Sequence, residues 1–440
     1  MHKERSPLSS STSLAASKVA QNVLLRVTDE ALIRRSIDSL EQGKEILPVA
    51  WQGASLAGGN TGVALLASYA GQCLNDSKWD MVAHQYLTKA VNEFDYQHPT
   101  FGLFDGVCGI PYVAVLASPD GAHYSRLKKS TDDYLVHWLK NYLPNIEGTG
   151  CSVVRYDLVS GIVGIVAYIL SQDQAALPEH LVHICQRSLC YLVSQATSRN
   201  DNGLPYFITP ENIRHSDKLQ QHPYGYSDCG VAHGIAGVIA VMALALRAGW
   251  TVPGLKESVA SLSIWMISHT IQDENGINWP SAVSVKKDGT LNGSRGSRVA
   301  WCYGIPGIAR ALWLAGRELR NDEVSAAALA TFDSLMKRPR KLWGVQSANL
   351  CHGLGGILQA TLRMYWDSGL PRFGTFAEDL TLDIVKMYDA NTLFGFQDYS
   401  ANGTLWDNPR LLEGAPGIAL VLLTAVYGLD NGWDRMLLLS

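Results

Sequence analysis

Five residues whose side chains can bind a metal or move a proton stand just before glycines in the sequence. Cys302 and Cys351 each lie two residues before a glycine, in WCYGIPG and LCHGLGG, and His352 follows Cys351 directly. His233 lies one residue before the first glycine of GIAG in VAHGIAG, and Asp157 lies four residues before the glycine that ends RYDLVSG. Two thiolates and an imidazole suit zinc, and three protein ligands leave a fourth position for water or substrate. These residue types therefore predict a catalytic metal centre beside a carboxylate and an imidazole.

Each of these residues also has an ordinary structural explanation. A cysteine before a glycine turn is commonly a buried small residue. His233 could bond a backbone carbonyl, and Asp157 could cap a helix by accepting bonds from free N–H groups. The shared position of such residues in consecutive repeats favours the functional interpretation.

The glycines belong to an internal repeat that organises the whole chain. A glycine, two residues and a second glycine precede an apolar run in seven copies, which is typical of a repeat architecture. The first glycines, 47 to 73 residues apart, are Gly59, Gly106, Gly161, Gly234, Gly304, Gly353 and Gly414. Each apolar run predicts a buried inner helix, and amphipathic stretches such as HQYLTKAVNEF predict outer helices. We therefore expect an all-α fold, an α/α toroid of seven inner and seven outer helices. If the inner helices run in the same sense, the residues before the glycines lie at one rim.

Three regions depart from this repeat. Residues 197–228 and 272–300 are rich in turn residues and strand-like pieces, which predicts excursions from the toroid. Loops of this kind often carry substrate recognition. Residues 1–40 are polar and serine-rich, which predicts a flexible N-terminal segment. The expected toroidal domain then spans residues 41–440.

Composition excludes several functional classes. The chain has 440 residues, of which 47% are hydrophobic and 17% charged, and its net charge is -4, so a basic nucleic-acid-binding surface is not expected. The sequence contains no run of 18 consecutive apolar residues, so a membrane-spanning helix is not expected. The first residues do not resemble a signal peptide, and we therefore expect a cytoplasmic protein. Eight cysteines in such a chain are expected to be thiols or metal ligands. Apolar surroundings predict burial of Cys73, Cys108, Cys185 and Cys190.

The motifs VAHGIAG, WCYGIPG and LCHGLGG, in this order, resemble the signature of the lanthionine synthetase C-like family. The resemblance covers roughly residues 45–435. It implies one zinc ion per chain, and it assigns roles to eight residues. These are the metal ligands Cys302, Cys351 and His352, the catalytic residues His233, Asp157 and Arg298, and the substrate-binding residues Trp301 and Tyr303.

The resemblance also implies an activity, that of the family's stand-alone lantibiotic cyclases. Such an enzyme adds cysteine thiols of a dehydrated precursor peptide to dehydroalanine or dehydrobutyrine, which forms thioether rings. His233 would supply the acid–base step, and Arg298 or its neighbours would stabilise the enolate. Asp157 would either orient His233 or relay protons, and the sequence does not choose between these roles.

Partners and alternatives follow from the same resemblance. A separate dehydratase and an exporter are implied, in a biosynthetic complex at the membrane surface. An alternative is a family member that uses glutathione or another thiol on a dehydrated polypeptide. A prenyltransferase-like toroid would need a basic cluster for a diphosphate, and a carbohydrate-active barrel would need two dedicated carboxylates. Neither pattern is evident.

Overall fold

The computed structural model describes residues 5–42, 51–147, 150–293, 295–399 and 403–440. Its helices are α1 (Ser10–Val27), α2 (Glu30–Gln42), α3 (Asn60–Leu74), α4 (Lys78–Asn92), α5 (Gly109–Ala117), α6 (Ser125–Ile146), α7 (Val153–Tyr156), α8 (Ile162–Leu170), α9 (Glu179–Thr197), α10 (Ser216–Gln221), α11 (Ile235–Arg247), α12 (Leu255–Ser268), α13 (Ile305–Leu319), α14 (Asp322–Lys337), α15 (Leu354–Ser368), α16 (Pro371–Lys386) and α17 (Ala415–Tyr427). The strands are β1 (Tyr226–Asp228), β2 (Ile271–Asp273), β3 (Gly276–Asn278), β4 (Ala282–Val285), β5 (Leu291–Asn292), β6 (Asp398–Tyr399) and β7 (Leu405–Trp406).

The chain forms two compact units, and the predicted boundaries of the toroidal domain, residues 41–440, stay a prediction. The first unit comprises Met1–Thr100, Phe104–Ser125 and Val345–Trp433. The second comprises Phe101–Leu103, Arg126–Gly344 and Asp434–Ser440. Each unit contains several of the repeats, and each is described by itself below.

A buried helix follows every glycine pair, as the sequence predicted. In the first unit α15 packs on α17, α17 on α3, and α3 on α5. In the second unit α8 packs on α11, and α11 on α13. All residues of α8 are buried, which explains why its sequence is apolar on every side. The inner-helix prediction is confirmed.

Amphipathic helices cover these inner helices. The helices α4, α9, α12, α14 and α16 pack on α3, α8, α11, α13 and α15, respectively. The helix that packs on α17 is α1, which also contacts α16. The helix that covers α17, the last inner helix, therefore precedes all the repeats in the sequence.

Residues 1–40, for which the sequence predicted a flexible segment, include the helix α1 in their described part. The helix α1 buries a stripe that includes Val19, Val23 and Val27, which recur every four residues and so share one face. Its first turn is capped by Ser9, whose Oγ accepts a hydrogen bond from the Thr12 N–H. The serine-rich composition concealed this stripe.

The two predicted excursions contain short strands, and the structure adds that they pair with each other. The strand β1 of the first excursion is antiparallel to β4 of the second, and β4 pairs with β5. The strands β2 and β3 form a separate hairpin. A further pair, β6 and β7, was not anticipated.

The second glycine of the repeat lies against the loop that precedes its own helix. A Cβ atom at this glycine would lie 2.1–2.2 Å from the carbonyl oxygen of the residue six positions earlier in four repeats. These four glycines are Gly164, Gly237, Gly307 and Gly417. Because a side chain there would collide with backbone, glycine is required for this close approach.

Backbone hydrogen bonds link the loops before consecutive inner helices within each unit. With the N–H donor first, they run from Leu158 to Ala232 (3.1 Å) and Val231 to Cys302 (2.9 Å) in the second unit, and from Cys351 to Leu412 (2.9 Å), Leu412 to Ala57 (3.0 Å) and Ala57 to Phe104 (3.1 Å) in the first. Within each unit, the residues before the first glycines therefore lie side by side.

Two further predictions concern membranes and cysteines. Among the described residues, no helix has both the length and the apolar character needed to cross a bilayer. Cys108 and Cys185 are buried as predicted. The predicted burial of Cys190 is wrong, since it lies exposed on α9, and Cys73 is partly exposed.

Candidate active site

His233 and Asp157 form a hydrogen-bonded pair in the second unit. The His233 Nδ1 atom lies 2.7 Å from Asp157 Oδ2, and Asp157 is 2% exposed. The other carboxylate oxygen accepts the Ser160 N–H just before α8. The Tyr156 hydroxyl donates to the His233 carbonyl at 2.9 Å, so the two loops are fixed against each other. Asp157 thus orders its own loop and orients the imidazole.

The surroundings of His233 favour its protonated form. Burial alone lowers the pKa of this imidazole, but the hydrogen bond and charge of Asp157, together with the charge of Asp228, outweigh it and raise the pKa above its usual value. Because Nδ1 faces Asp157, Nε2 is the nitrogen available to a substrate. The side chain is 39% exposed, so a substrate can reach it. This pair can act as a proton donor near neutral pH.

A second carboxylate, Asp228, holds Tyr303 in place. Asp228 ends β1 and is 2% exposed. One of its oxygens accepts the Gly230 N–H at 2.8 Å, and the other accepts the Tyr303 hydroxyl proton at 2.9 Å. Burial raises the pKa of the Asp228 carboxyl, although the Gly230 N–H and nearby positive charges act in the opposite direction. Burial and Asp228 also raise the pKa of Tyr303 well above its usual value, so this side chain remains a phenol.

The sequence did not single out Asp228. It lies five residues before His233, at the end of the first excursion. The only signal was its place in the same stretch, YSDCGVAHG, because its role depends on the pairing of β1 with β4.

These groups line one cavity of about 280 Å³ in the second unit. Its wall on the repeat side includes Asp157, His233 and Tyr303. Its other wall comes from the first excursion, through Asn212, Ile213, Arg214, His215 and Lys218. The excursion therefore supplies part of the wall of the cavity in which a ligand would meet His233.

Three predicted residues near Gly304 have different surroundings. Trp301 is fully buried, and its indole N–H donates to the Leu437 carbonyl at 2.9 Å. The ring is not among the residues that line the cavity, and its predicted role in substrate binding stays a prediction. Arg298 is exposed and does not line the cavity. Cys302 is buried in the second unit, and its carbonyl accepts the Val231 N–H.

The first unit contains a cluster of possible metal ligands. Ligand atoms of Cys351, His352 and Glu413 all lie within 4.8 Å of one another. Asn349 supports the histidine, because its Oδ1 accepts the His352 N–H and its Nδ2 lies 3.1 Å from His352 Nε2. The same Nδ2 donates to the buried Asp398 on β6. Two predicted zinc ligands are thus neighbours with an ordered support.

Glu413 was missed as a candidate ligand, although the repeat held the signal. It stands one residue before Gly414, the position that His233 and His352 occupy before their own glycines. Thiol, imidazole and carboxylate are the donors that zinc accepts. The chemistry of this cluster therefore fits a zinc ion. The third predicted ligand, Cys302, belongs to the second unit and stays a prediction.

Comparison with known proteins decides the family. The model of the family described as "Lanthionine synthetase C-like protein" matches residues 50–438, which is most of the chain. The chain belongs to the lanthionine synthetase C-like family. The resemblance carried by VAHGIAG, WCYGIPG and LCHGLGG is confirmed.

Two relatives of this lanthionine synthetase C-like protein are informative. The nisin biosynthesis protein NisC of Lactococcus lactis subsp. lactis is 23% identical over 390 residues, which cover 88% of each chain. The solved structure of a protein named nisin cyclase matches with a TM-score of 0.75 at 22% identity. The match covers 92% of this chain and 97% of that one. The predicted fold, an α/α toroid, is confirmed by this similarity.

Proposed function

We propose that this lanthionine synthetase C-like protein is a zinc-dependent cyclase that forms lanthionine and methyllanthionine rings. Its substrate would be a dehydrated precursor peptide, whose cysteine thiols add to dehydroalanine or dehydrobutyrine. The observation that carries the proposal is the His233–Asp157 pair on the wall of a cavity in the second unit. The name of the relative nisin cyclase supports the same reaction class.

We further propose that Cys302, Cys351 and His352 hold one zinc ion. The family motifs support all three residues, and the cluster in the first unit supports two of them. A zinc ion held by these residues would stabilise the thiolate of a substrate cysteine, whose thiol is otherwise mostly protonated at neutral pH.

The residues of the second unit would handle the proton that the addition requires. When sulfur bonds to the β-carbon of the dehydro residue, the C=C electrons move towards the adjacent carbonyl oxygen and leave an enolate. His233 would then deliver a proton from Nε2 to the α-carbon, since its Nδ1 is held by Asp157. Asp157 would orient the imidazole and favour its charged form, which supports the orienting role over a relay. Tyr303, held by Asp228, would shape the cavity beside the reacting atoms.

The reaction places the protein after another enzyme. Dehydroalanine and dehydrobutyrine must first be made from serine and threonine, so we propose a separate dehydratase as partner and an exporter for the product. We place this complex in the cytoplasm, at the membrane surface. In this complex the precursor peptide would pass from one active site to the next.

Two substitutions separate the metal from the proton donor. Cys351→Ala should lower the zinc content measured by elemental analysis, whereas His233→Ala should keep the zinc and lose ring closure. Ring closure does not change the mass of the peptide, so alkylation of remaining cysteines followed by mass spectrometry would count unreacted thiols. Wild-type ring closure by His233→Ala would refute its proposed role.

Assays with and without glutathione distinguish the proposed cyclisation from the alternative reaction. The cyclase proposal predicts loss of free thiols with no added mass, whether or not glutathione is present. A glutathione-dependent protein would add the mass of glutathione to the dehydrated peptide only when glutathione is supplied. That second result, without ring closure, would replace the proposed reaction.

A further inference from the structure

A lysine from the first excursion faces the same cavity as His233. Lys218 lies on α10 and is half-buried. Its Nζ atom lies 6.0 Å from the centre of the Tyr303 ring. Both residues line the cavity of about 280 Å³. An ammonium group is therefore placed beside the phenol that borders the proposed reaction site.

The positive charge of Lys218 has no carboxylate bound to it among the residues that the structure describes. One candidate is Asp228, because the charge of Lys218 acts to lower its pKa. However, both oxygens of Asp228 already accept hydrogen bonds, from the Gly230 N–H and from the Tyr303 hydroxyl. A partly desolvated ammonium that is not held by an anion is costly, and a ligand oxygen with negative charge would offset that cost.

The family resemblance assigned stabilisation of the enolate to Arg298 or its neighbours, and Arg298 has a different environment from Lys218. Arg298 is exposed and is not among the residues that line the cavity. Arg214 does line the cavity, but its side chain is exposed to solvent, which weakens its charge at the reacting atoms. Of the lysine and arginine residues that line the cavity in the described structure, Lys218 is thus the one that is partly buried.

The proposed reaction develops a negative charge that needs such a cation. As the S–Cβ bond forms, the C=C π bond breaks, and its electron pair moves to the carbonyl oxygen of the dehydro residue. The charge disappears when the α-carbon takes a proton from His233 and the C=O bond is restored. A group that binds the oxygen more strongly in the enolate than in the amide carbonyl of the dehydro residue accelerates the reaction.

We propose that Lys218 is the catalytic residue that stabilises the enolate oxygen, and that the first excursion thereby supplies part of the catalytic machinery. This proposal rests on the cyclase function proposed above. It differs from the family-based assignment, in which Arg298 or its neighbours would carry this role. A loop outside the repeats would then contribute directly to the chemistry.

The test compares matched variants of the full-length, zinc-loaded protein. The probe is a synthetic peptide with one dehydroalanine and one cysteine, and ring closure is followed by loss of alkylatable thiol. Lys218→Met should lower kcat by about 10²- to 10³-fold, the usual effect of removing one oxyanion donor. Lys218→Arg should restore part of this loss, because it keeps the charge. Lys287→Met, at an exposed lysine that does not line the cavity, should keep kcat within a few-fold of the wild type.

A second measurement separates catalysis from simple binding. The saturated peptide, with alanine in place of dehydroalanine, cannot form an enolate, so its Kd should be the same for the wild type and Lys218→Met. The proposal is overturned if Lys218→Met has wild-type kcat, or if it weakens binding of the saturated peptide by as much as it lowers kcat/KM. A wild-type protein that does not close the ring faster than buffer would refute the cyclase function itself.

Discussion

Gly237 provides a direct test of how the inner helices position the active site. It lies in the first turn of α11, directly below the loop that carries Asp228 and His233. A Cβ atom at Gly237 would lie 2.2 Å from the Val231 carbonyl oxygen. Because real Cβ atoms essentially never approach closer than 3.0 Å, Gly237→Ala must move this loop or the helix by at least about 0.8 Å.

This displacement should reduce activity more than it reduces stability. Overpacking of this kind costs about 1–3 kcal/mol of unfolding free energy, which leaves a protein of this size folded. A shift of about 1 Å at a catalytic group can cost about 10²-fold in rate, and His233 lies on the displaced loop. We therefore expect Gly237→Ala to remain folded in urea titrations and to lose ring closure by about 10²-fold in kcat.

Gly316→Ala is the matched control, because it lies in the same unit at the far end of an inner helix. Its Cβ would lie 2.7 Å from the Ser325 backbone nitrogen, so it should lower stability without a comparable loss of kcat. If Gly237→Ala kept wild-type kcat, or if both variants lost activity equally, the close approach of α11 to its loop would not be what positions His233.

Three further predictions concern α1, the acid–base pair and the metal cluster. Leu24→Ala should cost about 2–5 kcal/mol of unfolding free energy, because Leu24 is fully buried. Leu25 is 59% exposed, so Leu25→Ala should change the unfolding free energy by less than about 0.5 kcal/mol. Equal effects of the two substitutions in urea titrations would contradict the packing of α1. Asp157→Asn should lower the pKa of His233, because Asp157 raises that pKa. The fall in kcat/KM at high pH, where the imidazolium loses its proton, should therefore move to lower pH. An unchanged pKa in an NMR titration of the His233 ring would contradict the role of the pair. Asn349→Ala should weaken zinc binding by about 10- to 100-fold, as measured by competition with a chelator, and unchanged affinity would show that this amide does not support the ligand beside it.

The repeat explains why the inner helices could be predicted from the sequence. Each inner helix follows a glycine pair and is apolar on all sides, so the local sequence indicates both where the helix starts and that it is buried. The helix α1 has no glycine pair before it, and its apolar stripe is interrupted by serines. Its place is set by contact with α17, which lies hundreds of residues later in the chain, and sequence patterns do not reveal such pairings.

Some residues of the candidate site could likewise be predicted from the sequence, and others could not. His233 and Asp157 were predictable because they stand in consecutive repeats whose loops are linked by backbone hydrogen bonds. Glu413 occupies the position of His233 in the seventh repeat and could have been found by the same reasoning. Asp228 and Lys218 could not, because the path of the first excursion is set by the pairing of β1 with β4, some fifty residues apart.

The bonds between the loops of neighbouring repeats have a consequence for how such a protein can change. They are made by main-chain N–H and C=O groups, so they do not depend on which side chains the loops carry. Substitutions beside the glycines can therefore exchange one reactive side chain for another while these main-chain hydrogen bonds remain. Mutational scanning should find the donating residues of these bonds intolerant of proline, because proline has no N–H to donate.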